Sequence, residues 1–182
     1  MKLIIDIISS MEVLIAPNNK LRAQTKPVTK VTDALKNTIG EMIKLTKTFI
    51  DPEGVGLAST QVGLDGKYFV AKLKNGSFKA FFNPKILSFS KKQKKMFEGC
   101  LSIPNYWGEI FRPIAVTVSY MDLNGNQVKE RLTGLEAHIF QHEVDHLSGK
   151  LFMDLVMEQQ GKLYKVVGKD RAGADVFEAV PL

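Results

Sequence analysis

The segment His142-Glu143-Val144-Asp145-His146 has the residue types and spacing that could do chemistry most directly. Two histidines four apart on a helix share one face, so both imidazoles can reach a single cation. Glu143, beside the first of them, can address a water on that cation without ligating it. That is the mechanical content of a His-Glu-x-x-His pattern: two nitrogens bind and a carboxylate moves protons. The competing reading is a surface helix that carries two histidines by chance. His138 falls on the same stripe, but eight residues separate it from His146, about 12 Å along a helix axis. That is too far for one ion, so His138 is expected to pack or to face substrate.

A catalytic metal site takes three protein ligands and keeps a position open for water. No histidine follows His146, although Asp154 and Glu158 do. Upstream lies the single cysteine, within Glu98-Gly99-Cys100-Leu101-Ser102. Its thiolate would complete a Cys-His-His set. A lone cysteine is more often a small buried residue, so this partnership needs support from beyond the cysteine itself. One cysteine allows no intrachain disulfide, which fits a reducing compartment.

The bulk properties narrow the class. A chain of 182 residues suits one compact domain with a sizeable core. Hydrophobic residues at 45% and charged residues at 24% are ordinary globular usage and argue against wholesale disorder. The net charge of +6 suits work near an anionic partner, but many proteins match it. The apolar start from Lys2 to Ile8 is interrupted by Asp6 and reads as an edge strand rather than a signal peptide. No stretch approaches the roughly 20 apolar residues of a membrane-spanning helix.

The motif residues need elements to position them. Residues 2–8 and 12–15 read as short extended segments, followed by a turn at Pro17, Asn18 and Asn19. Thr32 is a good helix N-cap, and Leu35, Ile39, Met42, Ile43, Thr46 and Phe49 recur behind it at helical spacing. Asp51-Pro52 stops that helix. Tyr68–Leu73 and Phe78–Phe82 flank Asn75-Gly76, and Ile114–Leu123 and Gln127–Leu132 flank Asn124-Gly125; both pairs are hairpin signals. Lys85–Phe89 is a further strand, and the charge run Lys91–Lys95 reads as a solvated loop. A helix from about Gly134 to Ser148 ends at Gly149. The tail, around Leu163–Val167 and Val176–Val180, is strand-like. The pattern predicts a single α+β domain of mostly antiparallel sheets around a central metal-binding helix, with a second, N-terminal helix.

Three segments in order, Gly54-Val-Gly-Leu-Ala-Ser-Thr-Gln61, Glu98-Gly-Cys-Leu-Ser102 and Gln141-His-Glu-Val-Asp-His146, resemble the signature motifs of peptide deformylases. The likeness spans about residues 12–156 and is highly specific, because all three recur at similar spacing. It implies that the chain is one deformylase-like catalytic domain over 1–182. Cys100, His142 and His146 would bind one divalent metal, with Fe(II) expected and Zn(II), Ni(II) or Co(II) also able to occupy the site. Glu143 would act as general base and acid, while the Gln61 side-chain amide and the Leu101 backbone N–H would stabilise the oxyanion. Val55, Leu135, Ile139 and His138 would form the methionine pocket, and Gly56 would let backbone approach an extended peptide. Glu98, Arg112 and Asp145 are expected to orient ligands, against a reading as ordinary surface ion pairs.

The resemblance further implies N-formylmethionyl nascent peptides as substrates, transient ribosome association, no membrane or DNA partner, and a bacterial-type cytoplasmic setting. Three departures stand out: Ser59 where alanine is commoner, Trp107 where some members carry arginine, and a tail without a basic C-terminal helix. Two rivals compete. One is a zinc metalloprotease built on His-Glu-x-x-His with a downstream ligand. The other is a ribosome- or RNA-associated module with a closed structural metal site.

Overall fold

The computed structural model describes residues 11–181, so the predicted strand at residues 2–8 lies outside the described residues. Helix α1 spans Asp33–Thr48, and Thr32 Oγ1 accepts from Leu35 N at 3.2 Å, as its N-cap role predicts. Strands follow at β1 Gly56–Ala58, β2 Tyr68–Lys72, β3 Phe78–Phe89, β4 Gln93–Cys100, β5 Ile103–Pro113, β6 Ala115–Met121 and β7 Gln127–Thr133. Helices α2 Gly134–Leu147 and α3 Phe152–Glu158 precede a last hairpin, β8 Leu163–Lys169 and β9 Asp175–Val180. One sheet has the order β1-β2-β3-β6-β7 and the other β4-β5-β8-β9, with every pairing antiparallel. The fold is α+β, with α2 at its centre.

Both faces of the first sheet are covered, which explains why β2 reads as an unbroken apolar run. Tyr68 and Val70 pack on the α1 side with Ile39 and Met42. Phe69 and Ala71 pack on the α2 side with Phe81, Ile139 and Phe140. There the rings of Phe69, Phe81 and Phe140 meet edge-on or stacked, with centroids 4.8–5.4 Å apart. A third cluster joins Leu21, Ile103 and Ile110 to Leu151, Phe152 and Val156 of α3, and so fixes the second sheet to the molecule. Helix α2 is therefore held from several sides by packed apolar contacts.

The predicted hairpins and helices are present where the sequence points to them, with four corrections. Residues 12–15 form no strand, although Leu14 N donates to Gln61 O at 2.7 Å and so holds the segment against the site. Lys85–Phe89 is the second half of β3, continuous with Phe78–Phe82. Asn83 (φ 50°) and a register shift interrupt the ladder, and the Asn83 amide bonds both backbone groups of Val28 instead. The charge run is only partly a loop, since residues 93–95 are the first rungs of β4 opposite Pro113–Phe111. Their side chains face water, so the solvated part of that reading holds. The seven residues of α3 carried no periodic signal long enough to mark a helix.

Candidate metal centre

His142 and His146 lie one turn apart on the buried side of α2, and their Nε2 atoms are 3.2 Å apart. Cys100 ends β4, and its Sγ lies 3.2 Å from His146 Nε2. All three donor atoms fall within 4.8 Å of one another. A tetrahedral ion with metal–nitrogen bonds of about 2.05 Å and a metal–sulfur bond of about 2.3 Å separates its ligand atoms by roughly 3.3–3.6 Å. The donor set therefore fits one cation, and a site with three protein ligands leaves room for a water.

The two imidazoles sit in opposite electrostatic settings. Burial, reinforced by the neighbouring His142, holds the His146 imidazole well below its usual pKa, so its lone pair is free. Burial disfavours charge on His142 too, but the Glu98 carboxylate and Cys100 outweigh it and raise that group well above its usual value. His142 Nδ1 lies 2.5 Å from Glu98 Oε1, which leaves Nε2 directed at the other donors.

Glu98 anchors a buried charge network. Its carboxylate accepts from Arg112 Nε and Nη2, both at 2.8 Å, and lies 3.1 Å from His138 Nε2. Arg112 Nη1 reaches Asp145 Oδ2 at 2.8 Å. Glu98 and Arg112 are only 3% and 5% exposed, so this is not an ordinary surface pairing. Burial alone would push the Glu98 carboxyl up, but His142, Arg112 and His138 together hold it well below the usual range. His138 thus bonds Glu98 and lines the cleft, away from the donor triad.

Glu143 is 2% exposed and its Oε2 meets no hydrogen-bond partner among the described residues. Burial raises its carboxyl to about 7, a value matched to proton transfer near neutrality. The Gln61 side chain is fixed at both ends: Oε1 accepts from Ala58 N at 2.8 Å, and Nε2 donates to Ser102 Oγ at 3.1 Å and toward Cys100 Sγ at 3.5 Å. The short 3-10 turn carrying it, Ser59–Val62, is tied to α2 by Thr60 Oγ1 donating to His146 O. Ser59 Oγ donates to Gly66 O, so the departure from alanine adds a loop bond and leaves the cleft unchanged.

A cavity of about 330 Å3 opens over these groups. Val55, Gly56, Leu101, Leu135, His138 and Ile139 all line it, as do Glu98, Gln61, Cys100, His142 and Glu143. Leu135 stands at its rim, 57% exposed. Arg112 and Asp145 lie behind the wall. Sequence reasoning passed over Met96 and Phe97, which lie in β4, whose lysine-rich beginning hid its strand character. Ser102 belongs to the second motif but was given no role, and the fold places its hydroxyl against Gln61.

A sequence model of the family described as polypeptide deformylase matches residues 10–162. The chain is 45% identical over 136 residues to a peptide deformylase of Thermotoga neapolitana, covering 75% of this chain and 80% of that one. It is 38% identical over 172 residues to one of Brucella suis, covering 90% and 97%. Among solved structures it is similar to the peptide deformylase of Thermotoga maritima, with TM-score 0.75, 39% identity and coverage of 80% and 96%. It is likewise similar to one from Synechococcus elongatus in complex with actinonin, with TM-score 0.75, 35% identity and coverage of 80% and 78%. The rival readings gain nothing from the geometry. Asp154 bonds Leu151 N and pairs with Arg22, and Glu158 pairs with Lys150, so neither reaches the donor triad as a downstream ligand.

Proposed function

The chain belongs to the polypeptide deformylase family, and on that premise we propose how its own residues remove the formyl group from an N-terminal methionine. The enzyme is a metal-dependent hydrolase whose substrates are formylated nascent peptides. The observation that carries the assignment of roles is the convergence of Cys100, His142 and His146 beside a buried, unpartnered Glu143 carboxylate oxygen.

Cys100, His142 and His146 would hold the cation, and Fe(II) is the occupant we assign. When bound, the cation would supply Lewis acidity that makes a neighbouring water more acidic. Glu143 takes the proton from the attacking water and returns it to the amine nitrogen as the formyl C–N bond breaks. Formate and a free N-terminal methionine result. The Gln61 amide, already oriented by Ala58 N and Ser102, donates to the oxyanion together with the Leu101 backbone N–H. Val55, Ile139, Leu135 and His138 receive the methionine side chain, whose flexible thioether suits a mostly apolar slot. Gly56 lets the substrate backbone approach the edge strand β1. Glu98, Arg112 and Asp145 fix the orientation of His142.

In this reading residues 1–182 act as one catalytic domain in a bacterial-type cytoplasm, with transient access to the ribosome. The described residues contain no helix long and apolar enough to cross a membrane. The test is formate release from N-formyl-Met-Ala-Ser by protein loaded anaerobically with Fe(II) or with Zn(II), alongside Cys100→Ala. Release by the loaded protein, fastest with Fe(II), and loss of both bound metal and activity in the variant are expected. Full metal retention by the variant would remove Cys100 from the ligand set.

A further inference from the structure

The far end of the first sheet has a face that none of the apolar clusters covers. Side chains alternate between the two faces along a strand, and residues directly opposite in a ladder share a face. Val116, Val118 and Tyr120 of β6 point to the α2 side, into the cluster with Ile139 and Phe140. Met121 points the other way and packs with Ile39 and Met42 of α1. Thr117 and Ser119 share the side of Met121 but join no apolar cluster. Ser119 lies between Lys85 of β3 and Lys129 of β7, and Thr117 lies between Ser88 and Arg131. The register shift between Ile86 and Ser88 turns Ser88 to this side.

The face is basic and uncompensated. Lys85, Ser88, Lys129 and Arg131 are exposed, with Thr117 and Ser119 half-buried between them. Among the described residues, none of the three cations pairs with a carboxylate. The one acid within β7, Glu130, is turned to the opposite face, where its Oε1 lies 3.1 Å from Lys79 Nζ. Strands lie about 4.8 Å apart and rise about 3.3 Å per residue, so the three cations spread over roughly 10 Å. A nucleic-acid strand carries one phosphate per about 3.4 Å of helix axis, so about three phosphates fall within that span. Serine and threonine hydroxyls bond phosphate oxygens and the ribose 2′-hydroxyl. None of the six side chains is aromatic, so no base has a ring to stack on and recognition is of the backbone alone. A second copy of this chain would set these cations against their own kind, and a lipid surface would meet no apolar side chain among the six.

We propose that the face built from Lys85, Ser88, Thr117, Ser119, Lys129 and Arg131 holds an RNA strand by its sugar–phosphate backbone, without regard to base sequence. The face lies across the sheet from α2 and shares no residue with the cavity over the metal centre. An RNA held there leaves that cavity open. Binding of this kind is electrostatic and weakens as salt rises.

The experiment titrates labelled oligouridine with the protein across a range of salt, reading fluorescence anisotropy, with oligothymidine of equal length and phosphatidylserine vesicles as competitors. The logarithm of the binding constant is expected to fall against that of salt with a slope of about −2, as three phosphate contacts on a single strand give. Oligothymidine, which offers no 2′-hydroxyl, is expected to compete less well than unlabelled oligouridine. The triple variant Lys85→Gln, Lys129→Gln, Arg131→Gln should bind at least about tenfold more weakly at low salt, with a flatter slope. The same loss of charge around the β8–β9 hairpin, Lys162→Gln, Lys165→Gln, Arg171→Gln, should change affinity by less than about twofold. All six positions are exposed, so both variants keep the parent's thermal midpoint. No RNA binding by the parent, equal losses in the two variants, or competition by oligothymidine or vesicles as strong as that by oligouridine would overturn the proposal.

Discussion

A β-carbon built on Gly56 would collide with Glu143 Oε1, so the edge strand β1 and helix α2 meet at the carboxylate proposed to move the proton. Only a residue without a side chain lets that carboxylate sit against β1. Glu143 and Gly56 are 87 positions apart in the chain, and neither position explains the other without the fold. Gly56→Ala has to push either the strand or the carboxylate aside. A displacement of about 1 Å at a reacting group costs on the order of a hundredfold in rate. We expect kcat/KM to fall by about that factor while metal content and thermal midpoint change little. An unaltered rate would show that the Glu143 carboxylate is not held where the reaction needs it.

The Glu98–Arg112–Asp145 network makes a prediction about stability. Removing one partner of a buried ion pair leaves the other charge desolvated and uncompensated, at about 3–5 kcal/mol. Arg112→Met, which preserves most of the packing, is expected to lower the unfolding free energy by about that much in a denaturant titration. It should also weaken metal binding, because Glu98 then loses its hold on His142. A loss below about 1 kcal/mol would mean that the network behaves like a surface pair.

Acid sensitivity follows from Asp154. Burial alone would raise its carboxyl, but Arg22 and the Leu151 N–H outweigh that and lower it from the usual 3.8. The folded protein therefore binds fewer protons at this group than the unfolded chain does. The stability it contributes is complete above the ordinary aspartate range and is lost as pH falls through the folded-state value. Asp154→Asn keeps an acceptor for Leu151 N but removes the charge. Its destabilisation relative to the parent should be constant near neutral pH and shrink toward strong acid. A difference that stays flat through the acid limb would contradict this assignment.

The metal has little of the fold to hold up, because the buried residues of the apolar clusters around α1, α2 and α3 include none of its proposed ligands. Chelation should abolish activity, leave the far-ultraviolet circular dichroism spectrum unchanged and lower the thermal midpoint by several degrees, through lost ligand-binding free energy. Readdition of metal should restore both properties. Loss of the spectrum itself would make the cation structural.

How much of this was legible in the sequence depended on how local each signal was. The His142–His146 stripe, the Thr32 cap and the turns at Asn75-Gly76 and Asn124-Gly125 all act within a few residues, and the fold carries them as read. The β4–β5 hairpin did not announce itself. Its lysines face water and resemble a loop, and Gly99, Pro104 and Gly108 interrupt its alternation. In the fold, Gly99 gives way to the Trp107 ring and Gly108 to Val156. The Cys100–His146 contact spans 46 positions, which no periodicity reaches, so only the likeness to a known family joined them beforehand. Nothing in the sequence marked the ion pair between Lys169 and Asp51, because it depends on where two distant segments come to rest.

The most direct measurement is formate release from N-formyl-Met-Ala-Ser by Glu143→Ala, with metal content determined on the same sample. Full occupancy with release reduced by at least about a thousandfold is the predicted result, since the proposed ligands remain and the group assigned to move the proton is gone. Release near the parent rate from a fully loaded variant would contradict the role of Glu143 and the mechanism built on it.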